Sequence, residues 1–107
     1  MINKVILIGR ISNDLKIEEY GENKVMKFNL AVGRAYKKEG VQDTDFVRCT
    51  FWNKLSELVK TYCKKGDLLA VEGRLQVSEY ATPEGEKRTS TEVVVENIQF
   101  LEKKQDE

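Results

Sequence analysis

Phe46, Arg48, Thr50 and Trp52 fall at every second position of the stretch T-D-F-V-R-C-T-F-W, Thr44 to Trp52. In an extended strand that spacing puts them on one face, with Asp45, Val47, Cys49 and Phe51 on the other. The second set is mostly apolar and suits a core. The first is neither a core face nor a plain solvent face, because it interleaves two large aromatics with an arginine and a threonine. Flat rings beside a guanidinium on an open sheet can stack planar bases and neutralise phosphates, which is the chemistry that a single-stranded nucleic acid requires. A cross-strand aromatic cluster or a subunit contact would use the same residue types.

Composition narrows the remaining chemistry. With no histidine among 107 residues, the usual general base, the triads built on it and most zinc sites are excluded. There is no Gly-x-x-x-x-Gly-Lys phosphate loop and no acidic cluster suited to two metals, so no enzyme, catalytic residue, metal or cofactor is expected. Cys49 and Cys63 have neither a metal-ligand spacing nor a disulfide framework, and both read as buried thiols. No apolar run approaches a membrane span, and the start, Met1-Ile2-Asn3-Lys4-Val5, runs directly into a strand pattern. The expectation is a soluble, cytoplasmic protein. The net charge is zero, but residues 24–65 carry +6 while residues 1–23 carry −1 and residues 66–107 carry −5. The cationic excess therefore lies on the segment that holds Tyr36, Phe46 and Trp52, as a binding groove needs, although a solvated basic face would give the same count.

The elements that must position these residues follow from periodicity. Lys4 to Ile11 reads as a short strand buried on both sides, whose edges face a partner. Asn13-Asp14 breaks it, and Leu15 to Tyr20 is a weakly alternating piece before the turn Gly21-Glu22-Asn23. Val25 to Tyr36 is a long strand with Met26, Phe28, Leu30 and Val32 on one face, Lys27, Asn29 and Ala31 on the other, and Arg34 and Tyr36 beyond the core. The arm from Arg34 to Asp45 reads as a hairpin tip in solvent. Asn53 is a candidate N-cap for a helix whose stripe is Leu55, Leu58, Val59 and Tyr62, with Gly66 as its C-prime residue. Tyr62 is placed in the core. Leu68 to Val77 and Thr91 to Leu101 are the last strands, joined through a type I turn at Thr82-Pro83-Glu84-Gly85. The order predicts an all-β domain over residues 1–101, a five-stranded Greek-key barrel of the oligonucleotide/oligosaccharide-binding (OB) fold. Its one helix lies between strands 3 and 4, and a short charged tail follows at 102–107. Gly9, Gly33 and Gly73 read as points where a small barrel bends.

Five stretches in this order resemble the bacterial and bacteriophage single-stranded DNA-binding protein family. They are N-K-V-I-L-I-G-R-I at the start, V-x-x-F-x-L-A-V from Val25, T-D-F-V-R-C-T-F-W-N-K-L from Thr44, Y-C-K-K-G-D-L-L-A-V-E-G-R-L-Q from Tyr62 and T-E-V-V-V-E-N-I-Q-F-L from Thr91. The resemblance implies a homotetramer, or at least a dimer, that wraps and protects single-stranded DNA in replication, recombination or repair. It places stacking residues at Tyr36, Phe46, Trp52 and Tyr80, and phosphate contacts near Lys54, Lys64, Lys65 and Arg74. Family members continue into a flexible linker and an acidic tip that recruits replication and repair enzymes. This chain stops at Lys103-Lys104-Gln105-Asp106-Glu107, so recruitment through such a tip is not expected. Glu19 and Glu79 stand where many relatives are basic, and weaker or more salt-sensitive binding is the consequence.

From the residues themselves, Arg34 flanks Tyr36, and Arg48 and Arg74 are strand cations beside stackers or barrel glycines. Lys64 and Lys65 have a second explanation as charges at a helix C-terminus, and Tyr80 as a brace for the Pro83 turn. Two other functions fit the same aromatic face: a protein-assembly module that uses Tyr36, Phe46 and Trp52 as hot spots, and an RNA-binding barrel.

Overall fold

Period-two alternation builds six strands around one short helix: β1 (Val5–Ile11), β2 (Ile17–Tyr20), β3 (Asn23–Gly33), β4 (Thr44–Trp52), α1 (Lys54–Tyr62), β5 (Leu68–Ala81) and β6 (Lys87–Phe100). The computed structural model describes residues 1–35, 39–40 and 43–101. Tyr36, which the sequence nominates for stacking, and the tail at 102–107 lie outside the described residues. The sheet runs β1-β5-β6-β4-β3-β2, and β1 also pairs with β3, so five of the strands close into a ring with β2 on its outside. This mostly β architecture with one helix is consistent with an OB-fold.

Two features depart from the sequence expectation of five strands with a helix after the third. The weakly alternating piece is a strand in its own right: Ile17 turns toward the core and pairs with Met26, and that ladder runs on to Tyr20 opposite Asn23. The helix therefore follows the fourth strand. β1 is not buried on both sides. Its alternation leaves Ile6 67% and Ile8 54% exposed while Val5 and Leu7 pack on the core.

The core is built from the inward residues of the ring, beginning with a diagonal pair on adjacent strands. Phe28 of β3 and Phe51 of β4 stack with centroids 4.8 Å apart and planes 18° from parallel. Around them Ile11, Met26, Leu30, Leu69, Val71, Val93 and Val95 are almost fully buried, and Val59 of α1 plugs one end. At roughly 1.5–3 kcal/mol for each large apolar side chain removed from water, this cluster is the main stabilising term. Cys49 is buried within it, as expected, and Cys63 is half-buried.

Closure demands close backbone approach at two glycines. A Cβ on Gly9 would collide with the Ala31 carbonyl where β1 crosses β3, and one on Gly73 with the Val94 carbonyl beside the bulge at Glu72/Gly73. Gly33 is different, because a Cβ there meets nothing within 4 Å. It is the last residue of β3, and no close approach there requires a glycine.

Asn53 does not cap α1 with its side chain, although its carbonyl accepts from the Glu57 amide and the Ser56 hydroxyl. Its φ of 53° and ψ of −117° turn the chain sharply out of β4, outside the left-handed helical region in which asparagine is usually found at positive φ. Its Oδ1 accepts instead from the Lys24 amide at 2.9 Å. The helix ends at Tyr62 with Cys63 as C-cap, so Gly66, with φ of 98°, shapes the turn after it rather than the C-prime position. Tyr62 is half-exposed and tilts against Phe100, with centroids 5.6 Å apart.

β5 and β6 form a hairpin longer at its tip than the sequence suggests, paired from Leu69–Phe100 out to Ala81–Lys87. Thr82 anchors its turn by accepting the Gly85 amide and donating its own amide to Glu86. On the opposite edge of β5 the Asn3 side chain makes both backbone hydrogen bonds of Leu75, donating to its carbonyl at 3.0 Å and accepting from its amide at 2.9 Å.

Gly73→Ala is expected to lower stability by about 1–3 kcal/mol through overpacking, whereas Gly33→Ala stays within about 0.5 kcal/mol of the parent or gains slightly. Paired thermal melts read the difference, and equal losses would contradict the close approach at Gly73.

Candidate nucleic-acid interface

The register that buries Phe51 and Cys49 turns Phe46, Arg48, Thr50 and Trp52 outward. Their cross-strand partners on β3 are Ala31, Asn29, Lys27 and Val25. On the other side β4 runs parallel to β6, with Thr50 beside Val94. Val94 pairs in turn with Arg74, Glu92 with Gln76, Ser90 with Ser78 and Arg88 with Tyr80. Paired residues share a sheet face. One outer surface therefore runs from β3 over β4 and β6 to the far end of the β5–β6 hairpin.

Three of the four nominated aromatics are on this surface and accessible: Phe46 is 56%, Trp52 41% and Tyr80 52% exposed. Tyr80 is a strand residue opposite Arg88, not a brace under the turn. Thr50, in contrast, is fully buried beneath its neighbours and donates its hydroxyl to Glu92 Oε1 at 2.9 Å.

The cations differ in how free they are. Arg34 is gripped by Asp45, donating from Nε at 3.1 Å to each carboxylate oxygen and from Nη2 to Oδ1 at 2.7 Å. That hydrogen bond holds the Asp45 carboxyl below its ordinary range and raises the Arg34 pKa. Arg74 donates to Gln76 Oε1 at 2.9 Å and lies 3.8 Å from Glu96. Lys27 Nζ is 3.8 Å from Glu92 Oε2. Arg88 pairs with Glu86 at 3.1 Å. Arg48, Lys54, Lys64 and Lys65 make no ion pair among the described residues, although Lys54 is close enough to Glu57 to help lower its pKa after Lys24.

Lys54 opens α1, two residues past Trp52. Lys64 and Lys65 lie beyond the last helical turn, where Lys60 is the basic residue, so the dipole explanation fits Lys60 better. Their turn is tied to β1 instead: Gly66 donates to the Ile11 carbonyl at 2.8 Å, and its own carbonyl accepts from Arg10 at 3.1 Å. Arg10 pairs with Ala31, which pairs with Phe46. The turn that carries these lysines is thus joined through β1 to the strand beside Phe46, while Lys54 follows Trp52 in the chain.

Lys27 and Arg88 also lie on this surface, although the sequence reading did not nominate them for it. The outward alternation of β3 was the available signal for Lys27. Arg88 required the extra length of the hairpin.

Residues 2–101 match the family model described as the single-strand binding protein family. The chain belongs to that family. It is similar to single-stranded DNA-binding protein 3 of Clostridium acetobutylicum, at 44% identity over 94% of this chain and 72% of that protein. It is also similar to single-stranded DNA-binding protein 1 of Streptococcus pyogenes, at 40% identity over 97% and 82%. The single-stranded DNA-binding protein of Bacillus cereus is 43% identical over 95% of this chain and 61% of its own length. For this member of the single-strand binding family, the matched region takes in every described residue of the outer surface.

Beneath that surface the Cys49 thiol is pushed up to about 12, first by burial and then by the Glu92 carboxylate. It is a neutral packing group at any physiological pH. Phe51 and Trp52, adjacent in sequence, face opposite environments. Phe51→Ala is expected to cost about 3–5 kcal/mol and Trp52→Ala about 1 kcal/mol or less. Urea unfolding of the two variants gives the comparison, and a Trp52 loss as large as that of Phe51 would place the indole in the core.

Proposed function

We propose that this chain binds and protects single-stranded DNA without reading its sequence, in replication, recombination or repair, along the outer surface from Phe46 to Tyr80. The observation that carries this reading is the exposure of Phe46 and Trp52 on either side of Arg48, which has no carboxylate partner among the described residues, on a strand whose other face is packed core. The names of the relatives support it. On the same reading the five-strand ring is an OB-type Greek-key barrel, which presents such a face to an oligonucleotide. The function is binding rather than catalysis.

The mechanism follows from what the surface offers. Each base stacked on Trp52, Phe46 or Tyr80 contributes on the order of 1–3 kcal/mol, and every base has a ring face. Sequence is therefore nearly irrelevant. Duplex DNA hides its ring faces in the stack and is disfavoured. Phosphates gain from Arg48 on the platform and from Lys54, Lys64 and Lys65. Arg34 and Arg74 meet phosphate with part of their donor set already engaged by Asp45 and Gln76. Tyr36 belongs to the proposal through its position in the chain beside Arg34.

Titrating Trp52 fluorescence with oligothymidylate tests the reading. Strong quenching is expected with single strands and weak quenching with duplex. The four cations that make no ion pair among the described residues give a slope of log K against log salt of about −3, at roughly 0.7 per phosphate neutralised. Absence of quenching would favour the assembly module, and a marked preference for RNA would shift the reading to that ligand.

Self-association is part of the proposal. Val5–Gly9 pair only with β5, which leaves one edge of β1 open among the described residues, next to exposed Ile6 and Ile8. Open edges and apolar patches of this kind are suited to covering by a second copy. A homotetramer is expected, with a solution mass about four times the 12.3 kDa of one chain. Light scattering reads it directly, and Ile6→Asp with Ile8→Asp should reduce the mass. A monomer in the parent protein would overturn this assignment.

A further inference from the structure

The centre of the outer surface holds a carboxylate. Glu92 lies on β6 with its side chain 14% exposed. Its Oε1 accepts the hydroxyl of buried Thr50 at 2.9 Å, and Lys27 Nζ stands 3.8 Å from its Oε2. Gln76 is its cross-strand partner on β5. Thr50 separates Arg48 from Trp52 along β4, so this negative charge is fixed under the stretch where a stacked strand must run. The low exposure and the Thr50 hydrogen bond keep it from swinging away into water. Its charge also reaches through the sheet, since it contributes to the raised pKa of Cys49 on the other side.

Glu92 lies within one of the stretches that carry the family resemblance, yet the stacking mechanism does not itself call for an anion here. Phosphates are repelled by it directly, and Lys27 is partly committed to it. Two other cations of the same surface, Arg74 near Glu96 and Arg88 against Glu86, are held by carboxylates in the same way. Those two acidic groups are much more exposed and more easily displaced. Glu92 is the one of the three that is nearly enclosed.

We propose that Glu92 is an affinity-limiting residue of the single-stranded DNA surface. Its fixed charge opposes the phosphate backbone and withholds Lys27 from it, so that DNA is held chiefly by stacking and is released readily. The proposal rests on the assignment of this face to DNA, and the experiment separates the two.

Two substitutions divide charge from shape. Glu92→Gln keeps an oxygen for the Thr50 hydroxyl and removes the charge; Glu92→Asp keeps the charge and shortens the side chain. Binding of oligothymidylate and oligocytidylate is measured by Trp52 fluorescence from low to high salt, with thermal melts on each variant. Glu92→Gln is expected to tighten both ligands equally, on the order of three- to tenfold at low salt, with the gain fading as salt screens it. Its salt slope should steepen by about 0.7 as Lys27 becomes available to a phosphate. Glu92→Asp should show no such gain. Equal affinities for the parent and Glu92→Gln, with the parent still quenched by DNA, would overturn the proposal and leave the DNA assignment standing. Weaker binding by both variants, or a loss confined to oligocytidylate, would also overturn it, by making Glu92 a support for Thr50 or an acceptor for base amino groups. A parent protein that ignores DNA would sink the underlying assignment instead.

Discussion

The stack of Phe28 on Phe51 sets the register on which the outer surface depends. Side chains alternate along a strand, so the choice of which β4 residues face the core also decides which face solvent. With Phe51 seated against Phe28 and Cys49 opposite it in the ladder, Phe46, Arg48 and Trp52 have no option but to project outward. A slip of one residue would bury an arginine and expose Phe51. Stability and accessibility of the platform are thus one decision, taken by the core.

The surface that results is an unusual mixture of supply and restraint. Aromatic area is freely presented, while much of the cationic charge is already engaged by neighbouring carboxylates or amides. Such pairs are cheap to open where both partners are wet. They still lower the net field that an approaching polyanion meets, and the zero net charge of the chain has the same consequence at longer range. On the proposed reading, recognition is weighted toward ring stacking over ionic attraction, which salt weakens.

Most of this could be read from the sequence wherever periodicity was long. The alternation in β3 and β4, the helix after Trp52 and the mixed face all follow from residue type and spacing. What was hidden depended on contacts distant in sequence. Ile17–Tyr20 has too little alternation to announce a strand, and only the neighbouring edge of β3 makes it one. Ile6 and Ile8 have the same apolar character as Val5 and Leu7, and composition cannot tell an inward isoleucine from one on an outer wall. Asn53 has the residue type of a cap, yet the open end of the β3–β4 ladder claims its side chain first. The restraint on Arg34, Lys27 and Arg74 was equally invisible, because their acidic or amide partners lie on other strands or two residues along the same one.

The Asn3 amide, bonded to both backbone groups of Leu75, acts as a stop for the sheet. A carboxamide carries the same donor and acceptor as a peptide unit, so it can end a ladder without extending it. At that point β5 leaves the shelter of β1 and continues alone with β6 as a projecting ribbon. By filling the first vacant hydrogen-bonding position on the ribbon's outer edge, Asn3 denies an incoming strand the place where zippering would most easily begin. A single side chain thereby helps a long two-stranded arm remain in water as an arm, rather than as a template for aggregation.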